Sequence, residues 1–205
     1  MTFDLTGFLI SVPAILVAIT VHEFSHGLAA HFLGDPTPRR QGRLTLNPLP
    51  HLDALGTLML LVAHFGWAKP VEINPFYFRG DRQRGILLVS LAGPFSNLVV
   101  ALLGAILYNL FNVGTYFASF IITLVSINVY LALFNLIPVP PLDGSRILTG
   151  LLPRRMHGFI YQLEAYGPLI LVLLILTNIT GLVLMPAARA IIITLFQAGQ
   201  FVAAF

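Results

Sequence analysis

Uncharged apolar runs alternate with short basic loops along most of this chain. The first run reads FLISVPAILVAIT from Phe8 to Thr20, and apolar residues resume beyond a polar interruption through Phe32. Several runs approach or exceed the ~20 residues that carry a helix across a bilayer. The pattern predicts spans at Gly7 to Leu33, Gly85 to Phe111, Tyr116 to Ile137 and Tyr166 to Leu184. The segment from Ala187 to Phe205 either crosses back or lies at the interface. A shorter apolar run, Ala54 to Val62 within His51 to Trp67, has basic loops on both sides and reads as a hairpin that dips into the membrane and returns. The expected fold is an all-α polytopic membrane protein with about five transmembrane helices plus that short hairpin, in a single integral-membrane domain over residues 1–205.

Composition sharpens this picture. Of 205 residues 57% are hydrophobic and 9% charged, against roughly 25% charged in a soluble domain. Ten of the eleven Lys and Arg residues fall in three loops: Arg39, Arg40 and Arg43; then Lys69, Arg79, Arg82 and Arg84; then Arg146, Arg154 and Arg155. Arg189 alone lies elsewhere. The positive-inside rule puts those loops in the cytoplasm and the N-terminus outside. Since the arginines sit between spans, the +3 formal charge is no argument for nucleic acid; the bilayer and other membrane proteins are the expected partners. Cysteine is absent, so any metal must be held by His, Asp or Glu. The first span lacks a basic n-region and an A-x-A-like cleavage site, and reads as retained rather than as a signal peptide. The best-fitting location is a prokaryotic plasma membrane.

The polar interruption in the first span is His22-Glu23-Phe24-Ser25-His26, an H-E-x-x-H run. Ionisable residues at membrane depth are costly unless something compensates them. Residues four apart share a helix face, so His22 and His26 can offer their imidazoles to one ion. Glu23 is then placed to hold and deprotonate a metal-bound water. The competing reading is a pair of core or capping histidines beside a stray acid, which an apolar span disfavours.

A second feature is Phe134-Asn135-Leu136-Ile137-Pro138-Val139-Pro140-Pro141-Leu142-Asp143-Gly144. Its prolines cannot continue a helix, and non-helical backbone near membrane depth is tolerated where it is buried or lines a polar cavity. An acid at the end of such a break is well placed to point inward. Two imidazoles plus the Asp143 carboxylate would leave a fourth zinc position for water or substrate. The alternative is that Asp143-Gly144 makes a turn and caps the next helix.

With these residues on view, the chain resembles the site-2 protease family of intramembrane zinc metalloproteases. The resemblance rests on V-H-E-F-S-H-G at Val21 to Gly27, S-L-A-G-P-F-S-N at Ser90 to Asn97 and F-N-L-I-P-V-P-P-L-D-G-S-R at Phe134 to Arg146. Weaker support comes from N-P-L-P-H-L-D-A-L-G-T and G-W-A-K-P-V-E-I-N-P, which look like the compact prokaryotic subgroup without PDZ or CBS domains. It implies one Zn2+ per chain held by His22, His26 and Asp143, with Glu23 as general base. It also implies transmembrane protein substrates cut in or near their spans, at an active site within the membrane toward the cytoplasmic side. Outside this class stand an ion or metal transporter built on the same His, Glu and Asp, a catalytically inactive adaptor for membrane helices, and a peptidase of the prenyl-protein type.

Other polar residues are open to two readings. Asn97, on an otherwise apolar span, can donate to a substrate carbonyl or oxyanion, or join helices by bonding a neighbouring backbone. Asn135 poses the same choice, with satisfaction of carbonyls freed by Pro138 favoured. His51 and Asp53 read as interfacial anchors ahead of participants in the cleft, and His31, His64 and His157 as interface or surface histidines. Lys69 to Asn74 alternates like a strand and offers an edge to an extended substrate, though a plain loop fits equally well.

Overall fold

A computed structural model of the chain describes residues 5–63, 66–111, 114–153 and 156–204. His64, Arg154, Arg155 and the side chain of His157 lie outside the described residues. In chain order the helices are α1 (Leu5–Phe32), α2 (Thr37–Arg40), α3 (Ala54–Ala63), α4 (Arg82–Leu110), α5 (Thr115–Asn135), α6 (Asp143–Leu151), α7 (His157–Leu176) and α8 (Ile179–Ala203). Among the described residues there is no strand, only an isolated antiparallel bridge between Leu52 and Ala68.

Local chemistry sets the boundaries. α1 stops where Gly34 turns to φ +108°: Asp35 N–H donates to Ala30 O and Gly34 N–H to His31 O, each at 3.0 Å, the paired closure of a Schellman motif. α4 starts at Asp81, whose carboxylate accepts Arg84 N–H at 2.8 Å, a side-chain N-cap.

α4 is the central helix, in contact with α1, α5, α6 and α8. Small residues let the helices approach closely, as membrane bundles require. Ala101 and Ala105 of α4 pack with Ile121, Val125 and Val129 of α5 and Ala188 of α8. A Cβ on Gly199 would stand 2.5 Å from Ala105 O, so α8 lies against the α4 backbone there. Large apolar side chains such as Leu88, Phe95, Leu103, Leu182 and Val183 face outward, toward a solvent that tolerates no bare backbone polar group.

Among the described residues, four helices are long and apolar enough to cross a membrane: α1, α4, α5 and α8. The all-α membrane fold read from the sequence is thus borne out, but the fourth span is not where the apolar pattern put it. Asn178 adopts φ +56°, a left-handed conformation that Asn tolerates, and this splits Tyr166 to Leu184 between α7 and α8. Along α8, Met185 meets Tyr130 near the end of α5, while Phe196 stacks edge-on against Tyr108 and Gly199 touches Ala105. α8 therefore runs parallel to α4. Leu152, just ahead of α7, is held by Gln83 near the start of α4. Gly167 within α7 lies against Pro140, just past the end of α5, and Leu176 leads directly into α8. α7 thus begins and ends on the side where α4 begins. α7 does not cross, and the last segment is neither a return span nor interfacial. Pro186 sits inside α8.

The short segment behaves as a returning hairpin. α3 has ten residues, about 15 Å of helix, and its flanks meet through the Leu52–Ala68 bridge and Lys69 N–H to His51 O at 2.9 Å.

This topology puts the start of α1 and the end of α8 on one face. The chain has no native cysteine, so Gly114→Cys, Ala204→Cys and Arg40→Cys give clean labelling sites. A membrane-impermeant maleimide should reach Gly114→Cys and Ala204→Cys from one side of sealed vesicles and Arg40→Cys from the other. Labelling of Ala204→Cys together with Arg40→Cys would contradict the four-crossing arrangement.

Candidate metal centre

α1 presents His22 and His26 one turn apart, with ring centroids 4.6 Å apart and planes at 85°. Their Nε2 atoms are 3.0 Å apart, and each lies 3.1 Å from Asp143 Oδ2. All three side chains are buried. The far nitrogens are committed: His22 Nδ1–H donates to Asn97 Oδ1 at 2.6 Å, and His26 Nδ1–H to Val89 O at 2.7 Å. In their neutral forms the imidazoles would each turn an Nε2 lone pair toward the carboxylate, so that three acceptors converge. That donor set suits a divalent cation. A tetrahedral ion with ligand bonds of about 2.0–2.1 Å sets its donor atoms roughly 3.3–3.4 Å apart, close to the spacing here.

Glycines make this convergence possible. A Cβ on Gly93 would overlap His26 Nε2 and lie 2.7 Å from Cε1 of both imidazoles, so the Gly-Pro pair of α4 is the recess that receives the two rings. A Cβ on Gly144 would overlap the carbonyls of Leu136 and Ile137, which lets α6 begin directly against the end of α5.

The proline break delivers Asp143. After α5 ends, Val139 N–H returns to Ile137 O at 2.8 Å and Leu142 N–H to Val139 O at 3.0 Å, so the chain tightens into α6 with Asp143 as its first residue. A carboxylate is favoured at that helix end. The other end of α6 is held from α4, where Gln83 Nε2 donates to Leu152 O at 2.6 Å and lies 3.2 Å from Thr149 O and Gly150 O.

Glu23 is half-buried, and its Oε2 accepts Val71 N–H at 2.9 Å. The loop that supplies this amide is anchored by two charges whose importance the sequence does not reveal. Arg43, 4% exposed, donates to Pro50 O and to Pro70 O, the latter at 3.0 Å. Asp35, fully buried, accepts Thr37 N–H at 2.9 Å and Asn74 N–H at 2.7 Å. Arg43 is therefore a clamp between loops as well as a topogenic charge. A cleft of about 980 Å3 opens between this loop, the start of α4, α6 and Glu164 of α7. Val71 and Val89 form part of its wall, so it adjoins the groups that hold Glu23 and His26.

The remaining candidates separate by geometry. Asn97 stands behind His22, its amide N–H groups taken by Ala18 O at 3.0 Å and Asn128 Oδ1 at 2.8 Å. Asn128, absent from the sequence reading, completes this buried chain. Asn135 donates to Leu131 O at 3.0 Å, one turn back on its own helix; Pro138 frees the Phe134 carbonyl, and that accepts Ile137 N–H instead. His51 is fully buried rather than interfacial and contacts Thr45 O at 2.9 Å through Nε2. Asp53 accepts Gly56 N–H at 2.8 Å at the start of α3. Lys69 to Asn74 is a loop, not a strand.

Fold and site together define a polytopic helical membrane protein with a buried His-His-Asp group, able to hold a cation, beside a glutamate. The model of peptidase family M50 matches residues 110–177, from the end of α4 through the proline break to α7. "Putative zinc metalloprotease YwhC" of Bacillus subtilis (strain 168) is 41% identical over 199 residues, 91% of this chain and 90% of that protein. "Putative zinc metalloprotease Rip2" of Mycolicibacterium smegmatis is 33% identical, covering 83% of this chain and 68% of its own length. "Putative zinc metalloprotease MJ0611" of Methanocaldococcus jannaschii is 30% identical, with 71% and 72% covered. The chain belongs to peptidase family M50, as the site-2 protease resemblance implied. No solved structure matches it.

Two substitutions probe the site without touching a ligand. Gly93→Ala should leave the protein helical by circular dichroism but drop its metal content well below one equivalent. Asn97→Ala should weaken metal affinity by about 10–100-fold, the usual loss when an imidazole's outer partner is removed, as read by competition with a chromophoric chelator.

Proposed function

We propose that this chain is an intramembrane zinc endopeptidase that hydrolyses peptide bonds in or near transmembrane segments of other proteins. The observation that carries the reading is the convergence of His22 Nε2, His26 Nε2 and Asp143 Oδ2 within about 3.1 Å, with Glu23 on the same helix. Family membership and the names of the relatives support a metal-dependent peptidase over a transporter.

His22, His26 and Asp143 would hold the zinc ion, with Asn97 and Val89 O fixing the rings that face it. When bound, zinc supplies Lewis acidity toward water and the scissile carbonyl. Glu23 accepts a proton from the attacking water and returns it to the leaving amine. The Val71 amide holds one carboxylate oxygen, which restrains Glu23 in the orientation this transfer needs. Asn97 acts as a positioning residue for His22, since its donors are already in use. Asn135, bonded within α5, supports the end of that helix at the proline break.

The basic loops lie on the face where α4 begins, and the positive-inside rule makes that face cytoplasmic. The cleft along Val71 and Val89 provides a route for water and for an unwound substrate segment. A helical substrate has its amides satisfied internally and must unwind locally before attack, so helix-breaking residues near the cut should speed cleavage.

The test pairs metal analysis with proteolysis on purified full-length protein. Glu23→Gln should retain about one zinc per chain yet lose cleavage of a transmembrane substrate by at least 100-fold. Asp143→Asn should lose both. Cleavage that survives in Glu23→Gln would refute the assignment of the base.

A further inference from the structure

Of the eleven Lys and Arg residues, Arg189 is the one outside the loops, and α8 carries it into the membrane. It stands ten residues past the start of α8, about 15 Å along the axis and near the middle of a ~30 Å hydrocarbon layer. Its neighbour Ala188 gives the same depth independently, being packed in the core formed with Ala101 of α4 and Val125, the midpoint of α5.

The guanidinium faces out of the bundle. It is exposed and lies in a groove of about 560 Å3 between α5 and α8, lined by Tyr130, Met185, Pro186, Ala190 and Ile193. Among the described residues Arg189 has no hydrogen-bond, ion-pair or cation–π partner. The nearby Tyr130 hydroxyl has only Met185 Sδ at 3.3 Å, a weak acceptor. An unpaired guanidinium at mid-depth is among the costlier placements for a side chain, and such residues mark functional contacts. From that depth it is also poorly placed to reach the headgroups on either side.

We propose that the α5–α8 groove docks a transmembrane helix of another protein, one that carries an Asp or Glu at mid-depth to pair with Arg189. Charge complementarity selects the partner: a carboxylate accepts the planar guanidinium fork through two parallel hydrogen bonds, and Tyr130 OH can add a third. A second copy of this chain does not supply the acid. Its eight acidic residues are Asp4, Glu23, Asp35, Asp53, Glu72, Asp81, Asp143 and Glu164. Glu23 and Asp143 belong to the metal centre, and none of the other described acids lies in a crossing helix; Asp4 precedes the apolar run of the first span in the sequence. The groove also faces away from the chemistry: Tyr130 is two positions from Asn128, about 200° around α5, and Asn128 points to Asn97 behind His22. The docked helix is therefore bound at a site separate from the metal centre.

The experiment reconstitutes the full chain in pure phosphatidylcholine bilayers with a labelled poly-leucine peptide of about 20 residues bearing a central Glu, Gln or Leu. Resonance energy transfer reads association. The Glu peptide should bind at least ~10-fold more tightly than the Leu and Gln peptides, and Arg189→Leu and Arg189→Gln should each abolish that preference while melting no lower than the parent. Equal binding of the three peptides by the parent, or a Glu preference that survives either substitution, would overturn the proposal. So would loss of the preference in bilayers containing phosphatidylglycerol, with native mass spectrometry finding that lipid on the parent and not on Arg189→Leu; an anionic headgroup would then be the occupant.

Discussion

Lipid offers no hydrogen bonds, so each polar group that this chain carries to membrane depth has to find its partner inside the protein. That constraint organises the interior. His22 is bound through Asn97 to Asn128 and to the Ala18 carbonyl, and His26 is bound to the Val89 carbonyl. Each of these bonds removes a donor that would otherwise be bare, and each fixes an imidazole with its free nitrogen toward Asp143. Satisfying the membrane and orienting the site are accomplished by the same contacts. Arg189, with no partner among the described residues, stands out for this reason.

The constraint also explains why α4 sits at the centre. It gives the His26 acceptor at Val89, the recess at Gly93, the amide at Asn97 and, one end further, the Gln83 side chain that holds α6. The three candidate ligands come from α1 and α6, but their geometry is referred to α4. The proline break serves the same end. It brings Asp143 inward on a backbone that is itself packed against Gly144 and Gly167, so irregular chain at membrane depth is covered by protein. On the loop side, Arg43 and Asp35 perform the equivalent task with buried charges, bonding carbonyls and amides around the strip that presents Val71 to Glu23.

Much of this was legible in the sequence where a physical period or a steric rule was at work. Four-residue spacing placed His22 and His26 on one face, and the run of prolines marked the turn that brings Asp143 to them. Three of the crossing helices, α1, α4 and α5, follow from apolar length. The α7–α8 boundary did not, because Ile175 to Ile179 contains neither charge nor proline, and the break there is a single Asn178 in a left-handed conformation. Asn97 could be read as oxyanion donor or as helix glue, since one amide supports both until its neighbours are known. Asp35 and Arg43 look like ordinary loop charges, and only tertiary contacts distinguish a buried clamp from a solvated one.

The central claim is that two imidazoles and one carboxylate form a single metal centre inside the bundle. X-ray absorption at the zinc edge of protein purified with its metal tests this most directly. The account predicts a first shell of two imidazole nitrogens with oxygen ligands near about 2.0–2.1 Å, and loss of the imidazole signature in His22→Ala. A protein that takes up no zinc, or a zinc shell unchanged by His22→Ala, would contradict it.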